Sequence, residues 1–322
     1  MTLLYLDDRF LHHETGDHPE CAGRIRGIPA RLARAGLDAR CRRPEWQPVS
    51  AQRLSRVHAA GYVNEVRTTA MSGGGEIDPD TMVGPSSYDV ALQAAGAVCD
   101  ATGRVLRGED RRALCVVRPP GHHAMVARAM GFCLFNNVAV AAAMALEEFQ
   151  LDRLLIVDWD VHHGNGTQAT FWEEPRAGFL SIHRFPFYPG TGDSDETGGG
   201  PAVGTKVNLP IVLGTSRKDY LARFANALEQ LTAKIRPQLV LLSAGFDAHR
   251  LDPLGNLGLE TEDYLPLTSL PLDAADAYAG GKLVSVLEGG YHPGATADCV
   301  ALHLQAMVER DAAGCQPEAV VE

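Results

Sequence analysis

The sequence contains no apolar run approaching the roughly 18 residues that a membrane-crossing helix needs, which excludes such a segment. It also lacks positive charge: 29 Lys and Arg stand against 40 Asp and Glu, a formal net charge of −11. A surface of that sign repels phosphate backbones, so sequence-independent nucleic-acid binding is excluded, whereas cationic partners such as lysine-bearing peptides or polyamines suit it. The seven cysteines (Cys21, Cys41, Cys99, Cys115, Cys133, Cys299, Cys315) are scattered, odd in number and include no Cys-x-x-Cys pair. Neither a disulfide framework nor a thiolate zinc knuckle is supported. There is no internal repeat, and no linker is long enough to separate a pair of domains. Residues 1–10 read as a strand with two aspartates, without a basic n-region or apolar h-region, which predicts a cytoplasmic protein with no membrane partner. Self-association is left open.

What is present is ordinary globular composition, 45 % hydrophobic and 21 % charged, with 33 glycines and 19 prolines among 322 residues that imply long loops. The length suits one large α/β domain, here 1–310, followed by a tail from Asp311 onward expected to fray. Short Val-, Leu- and Ile-rich runs alternate with helical-period segments, the pattern of a mostly parallel sheet with helices on both faces. Strands are predicted at 3–6, 113–117, 154–157, 178–182, 239–243 and 283–287, and helices at 23–35, 86–107, 136–149, 217–235, 261–279 and 295–310. The Gly-rich stretches 72–76 and 197–201 read as surface loops. Each of the polar stretches 118–124, 158–167, 183–192, 244–255 and 288–292 follows directly on a predicted strand. Ligands in an open parallel sheet sit beyond the carboxyl ends of the strands, so these distant segments should converge on one site.

The chemistry lies in those stretches. In Asp158-Trp-Asp160-Val-His162-His163-Gly-Asn165, extended residues two apart point the same way, so Asp158, Asp160 and His162 start on one side. Alternating carboxylate and imidazole suits a divalent metal; helix-capping aspartates with buried, hydrogen-bonded histidines are the alternative. Asp247, just past an apolar strand in Ser243-Ala-Gly-Phe-Asp247-Ala-His249, is either a turn or cap residue or a third ligand that leaves a fourth position open, as in a catalytic zinc site. His249 and Asp252 make weaker ligands, and Asp252-Pro253 reads as an Asx turn.

Arg118-Pro-Pro-Gly-His122-His123 offers a stiff turn carrying adjacent histidines, which fits general acid–base work, a plain solvent loop or, less well, a second metal. Tyr291 in Glu288-Gly-Gly-Tyr291 is either an oxyanion donor or a surface tyrosine in a glycine turn. Gly131-Phe132-Cys133-Leu-Phe135-Asn136 and His183-Arg-Phe185-Pro-Phe187-Tyr188 read as structural, unless their aromatics wall a narrow channel. His12, His13 and His18 read as loop histidines, and His58 and His303 as helix residues.

Together, Arg118-Pro-Pro-Gly-His-His, Gly131-Phe-Cys-Leu-Phe-Asn-Asn, Asp158-Trp-Asp-Val-His-His-Gly-Asn-Gly-Thr, Ser243-Ala-Gly-Phe-Asp, Glu288-Gly-Gly-Tyr and His18-Pro-Glu-Cys-Ala-Gly-Arg resemble the histone deacetylase family, of arginase–deacetylase fold. The likeness is greatest to class II and bacterial members, including acetylpolyamine amidohydrolases, and runs in family order over roughly residues 1–310.

The resemblance implies one zinc per chain held by Asp160, His162 and Asp247, with His122 and His123 flanking the water on it and Asp158 bonded to His122. Asn165 stands where some members carry a second aspartate, which should leave His123 less basic. Tyr291 would polarise the scissile carbonyl. Gly131, Phe132 and Tyr188 would wall a tunnel for an aliphatic stem. A structural potassium would draw on Asp158, Asp160, His162, Ser181 and Ile182. Asp80 falls near a rim residue that contacts substrate. Leu254 falls near the acidic gatekeeper of polyamine-selective relatives, and its apolar character favours acyl-lysine over acylpolyamine. The implied reaction is amide hydrolysis, releasing acetate or a larger acid and a free amine. A bimanganese ureohydrolase would need an aspartate where this chain has His249. A non-catalytic acyl-lysine binder would have little use for Tyr291, both loop histidines and all three ligands.

Overall fold

Apolar runs buried on both faces set the centre of the molecule. A computed structural model describes residues 1–313. Its strands are β1 (Thr2–Tyr5), β2 (Cys41–Arg42), β3 (Gly75–Asp78), β4 (Thr81–Val83), β5 (Arg112–Cys115), β6 (Leu154–Asp158), β7 (Ala177–Arg184), β8 (Lys206–Ile211), β9 (Val240–Ala244) and β10 (Leu283–Leu287). The helices are α1 (Gly23–Arg26), α2 (Ile28–Arg34), α3 (Ala51–Leu54), α4 (Ala60–Met71), α5 (Ser87–Leu106), α6 (Asn137–Glu148), α7 (Asn165–Thr170), α8 (Arg217–Ile235), α9 (Tyr264–Tyr278) and α10 (Pro293–Ala313). Eight strands form one sheet in the order β2-β1-β5-β10-β9-β6-β7-β8, every pairing parallel. The β3–β4 hairpin is antiparallel and separate.

In β5, β6, β9 and β10 every residue is buried, as a sheet covered on both faces requires. One helical layer is α5 packed on α6, reaching β5, β10, β9 and β6; the other is α8, α9 and α10, with α1 and α2 against α10. Local chemistry sets the helix ends. Asn136 caps α6 by accepting from the Ala139 N–H at 2.9 Å, and Ser216 caps α8 through the Asp219 N–H at 3.1 Å. β5, β10, β9, β6 and β7 are consecutive in the sheet, so the five polar stretches predicted to converge leave it side by side at its carboxyl end.

Several elements differ from the sequence expectation. The helix over 23–35 is two pieces meeting at Gly27, and the 261–279 helix opens with a 3-10 turn at Thr261–Asp263. β8 went unread because Lys206, Asn208 and Pro210 interrupt its apolar residues. Lys206 is nonetheless buried, its ammonium donating to the carbonyls of Ala177 (2.7 Å) and Glu174 (3.2 Å). The stretch 72–76 runs into β3, and 197–201 enters a 3-10 turn at Gly200–Ala202. His183 and Arg184 belong to β7 rather than to the loop after it. His58 sits in the turn before α4, where its ring accepts from the Asn136 N–H and faces the Met125 carbonyl, while His303 is helical.

α10 runs through Ala313, past the expected boundary at Asp311, and there Asp311 accepts from the Thr2 hydroxyl at 2.7 Å and pairs with the buried Arg112 guanidinium. The rest of the expected tail, 314–322 with Cys315, lies outside the described residues. Asp311→Ala strips a partner from that buried cation. It should cost about 2 kcal/mol, read as a lower urea midpoint with an unchanged m-value.

Candidate active site

The residues after β6 and β9 build the centre. Asp160 and His162 follow β6, Asp247 follows β9, and one ligand atom from each lies within 4.8 Å of the others. This is the one such group of His, Cys, Asp and Glu among the described residues. His162 Nδ1 is 3.0 Å from Asp160 Oδ1 and 3.3 Å from Asp247 Oδ2. Main-chain amides fix the remaining carboxylate oxygens: Gly289 N–H donates to Asp160 Oδ2 at 2.7 Å, and Val161 N–H to Asp247 Oδ1 at 2.9 Å. Asp247 Oδ2 is fully buried and has no hydrogen-bond donor in bonding geometry, His162 being turned to Asp160.

The packing around the carboxylates is close. A Cβ on Gly289 would sit 2.0 Å from Asp247 Oδ2, and one on Gly245 would sit 2.1 Å from Asp160 Oδ2. Burial and the neighbouring Asp160 push the Asp247 carboxyl up to about 7. Burial opposes ionisation of Asp160 too, but His122 and His162 hold it below the usual carboxylate range. Burial works against a charged His162, yet both aspartates raise it to about 9. Two carboxylates this close and this dry stay ionised together only with a cation between them; otherwise one of them takes up a proton. Two carboxylate donors, one with the orphaned oxygen of Asp247, and one imidazole fit a divalent metal with an open position.

The turn after β5 brings the paired histidines alongside. His122 Nδ1 is 2.9 Å from Asp158 Oδ2, and His123 Nδ1 is 2.7 Å from Asn165 Oδ1, with the two ring centres 4.0 Å apart. Desolvation would depress His122, but Asp158 and Asp160 outweigh it and raise it to about 10. Burial, then His122 and His162, drive His123 well below the ordinary histidine value, and the Asp160 charge and the Asn165 amide do not offset them. The two adjacent imidazoles are thus set for opposite protonation states.

A cavity of about 290 Å³ opens over this floor. His123, His162 and Tyr291 reach into it, and Gly131, Phe132, Phe187, Tyr188, Leu254 and Asp80 complete its lining. Phe187 stacks on His162 at 5.3 Å, and Phe132 meets Tyr291 edge-on at 5.7 Å. Gly131 and Phe132 both have positive φ, at 57° and 68°, and a Cβ on Gly131 would lie 2.2 Å from the His123 ring. Asp80 accepts from the Gly131 N–H at 2.9 Å, so this rim residue also holds the wall.

Of the remaining expectations, Ser181 lies in register beside Asp158, its hydroxyl 2.9 Å from His183, and Ile182 follows it in β7. His249 turns away from the centre to Thr261 and the Leu251 N–H. Asp252 forms the Asx turn expected of it. His13 is buried against Ser87 rather than lying in an open loop, and His18 meets Phe132 edge-on at 4.6 Å.

Sequence reasoning missed the buried supports. Glu288 accepts from the Gly121 N–H (2.7 Å), the His122 N–H (3.2 Å) and the Ser243 hydroxyl (3.0 Å). Arg118 spans Glu20 with two bonds, and Arg24 donates to Glu20 and to the Gly290 carbonyl. Phe187 read as structural. The only signal for these residues was a charged side chain inside an otherwise apolar or glycine-rich motif.

The sheet order and the site at its carboxyl end define an α/β protein of the arginase–deacetylase type. The histone deacetylase domain matches residues 18–307. The chain is 35 % identical over 311 residues to a histone deacetylase-like amidohydrolase of Pseudomonas aeruginosa, covering 90 % of this chain and 81 % of that protein. It is 38 % identical to the human polyamine deacetylase HDAC10, covering 95 % of this chain and 48 % of the relative. The crystal structure of the HDA15 HD domain superposes with a TM-score of 0.90 at 36 % identity, covering 98 % of this chain and 93 % of that one. This chain belongs to the histone deacetylase family.

Gly289→Ala would drive a methyl into Asp247 Oδ2. It should weaken divalent-metal binding at least about tenfold, measured by metal content after dialysis against a graded chelator, with the far-UV spectrum unchanged.

Proposed function

We propose that the chain is a zinc-dependent amidohydrolase that removes an acetyl or other acyl group from an amine, acyl-lysine in a protein or peptide being the preferred substrate. The observation that carries this reading is the joining of an apolar cavity to a floor of His123, His162 and Tyr291 beside the three clustered donors. Asp160, His162 and Asp247 would hold the zinc. When bound, such an ion polarises an acyl oxygen and acidifies water.

Phe132, Phe187 and Tyr188 grip an aliphatic stem and keep bulk water from it. His123, with Nδ1 engaged by Asn165, leaves Nε2 to accept a proton from the attacking water. His122, kept charged by Asp158, returns a proton to the departing amine. The Tyr291 hydroxyl donates to the carbonyl oxygen as negative charge builds there. The strand ends carrying Asp158, Asp160, His162, Ser181 and Ile182 would take a potassium ion as a structural brace.

Acylated polyamine is the second reading. It is favoured by the net charge of −11 and by the relative named for that activity. The apolar Leu254 at the cavity favours a neutral stem instead.

Competition between an acetyl-lysine peptide, acetylputrescine and N-acetylspermidine should give the peptide the highest kcat/KM; polyamine preference would reverse the order. Tyr291→Phe should lower kcat by about two to three orders of magnitude, and near-normal turnover would remove Tyr291 from the reaction.

A further inference from the structure

The loop from Asp247 to Gly255 carries a second carboxylate that belongs neither to the donor cluster nor to the cavity lining. Asp252 is 5 % exposed and divides its two oxygens between separate segments. Oδ1 accepts from the N–H groups of Leu254 (3.0 Å) and Gly255 (2.9 Å), closing the turn that sets Leu254 against the cavity. Oδ2 accepts from the Tyr291 N–H at 2.6 Å, a short charge-assisted bond.

Tyr291 needs such an anchor. It follows Gly289 and Gly290, the latter at φ 129°, a conformation available to glycine and one that leaves the segment few side-chain restraints of its own. Its ring lies under the Arg24 guanidinium at 4.6 Å, and Arg24 also donates to the Gly290 carbonyl at 2.8 Å, so the peptide unit leading into Tyr291 is held on its carbonyl side by Arg24 and on its N–H side by Asp252 alone. The hydroxyl sits at the far end of a long rigid lever, so a small main-chain rotation displaces it by about 1 Å, enough to cost on the order of a hundredfold in rate.

We propose that Asp252 is a positioning residue: it ties the main chain of Tyr291 to the turn that presents Leu254, so that the wall facing the substrate and the hydroxyl facing its carbonyl move as one unit. This rests on the reading of Tyr291 as the donor to the developing oxyanion. Contact of a substrate stem with Leu254 would then reach the reacting end through one carboxylate, so the two ends of the cavity are read together.

Asp252→Asn separates the two functions, because an amide has one accepting oxygen for three N–H donors and its NH2 would face an N–H. With the Asx turn kept, kcat should fall about tenfold to a hundredfold while KM stays within about threefold. Asp252→Ala, which loses the turn as well, should also raise KM. A kcat within about twofold of wild type in both variants would overturn the proposal. Without any change at Asp252, wild-type protein labelled with [15N]tyrosine shows eight tyrosine amides at most, and the signal missing from folded Tyr291→Phe is that of Tyr291. It should lie downfield and exchange slowly; an ordinary shift with fast exchange would overturn the contact. If wild-type protein turned over no acylated amine, the functional reading would fall, and this signal would still decide the contact.

Discussion

Carboxylates buried in a dry interior are the constraint on which this molecule is organised. Asp158, Asp160, Asp247 and Glu288 are all fully buried within one cluster of strand ends. Water cannot solvate them, so the protein does so with main-chain N–H groups and imidazoles, and at the donor triad it leaves Asp247 Oδ2 without a donor. The parallel sheet makes this possible. At its carboxyl edge the chain turns away from strand geometry, and amides no longer needed by the ladder become free to point at carboxylates.

The segment Glu288-Gly-Gly-Tyr acts as a crossbar under that arrangement. Its side chain at Glu288 holds the histidine turn, its Gly289 amide holds Asp160, its carbonyls at Glu288 and Gly290 receive Arg24, and its Tyr291 amide meets Asp252. Both glycines have steric reasons to be there. A methyl at Gly289 would strike Asp247, and one at Gly290 would lie 2.8 Å from the Thr296 hydroxyl. What reads in the sequence as a flexible turn is a position where four partners converge and no side chain fits.

How legible this was depended on what carried the signal. The central strands and long helices announced themselves through apolar period, because burial on both faces leaves no polar interruption. β8 did not, since a lysine whose ammonium caps carbonyls looks like a solvent residue from its letter alone. Asp160, His162 and Asp247 were nameable because their spacing and strand-end placement restrict what they can do, and the structure brings their donor atoms within 4.8 Å. The work of Glu288 stayed hidden, and of Asp252 only the local Asx turn was readable, not its bond to the Tyr291 amide. Those hidden bonds go to main-chain groups far away in sequence, and no local pattern encodes such a partner. Asn165 lay between these cases: its amide was visible as a substitution, and its 2.7 Å contact shows which histidine feels it.

The sheet order has a consequence for the timing of assembly. β10 is the last strand of the sheet to be made, yet it sits between β5 and β9. A chain leaving the ribosome must keep two half-sheets with raw inner edges until residue 287 or so has emerged, a topology of long-range pairings that folds slowly. The crossbar that squares the donors follows immediately behind that strand. Asp160, His162 and Asp247 all precede it, just after the neighbouring strands β6 and β9, so what waits for β10 is the Gly289 amide that clamps Asp160 rather than any of the three donors.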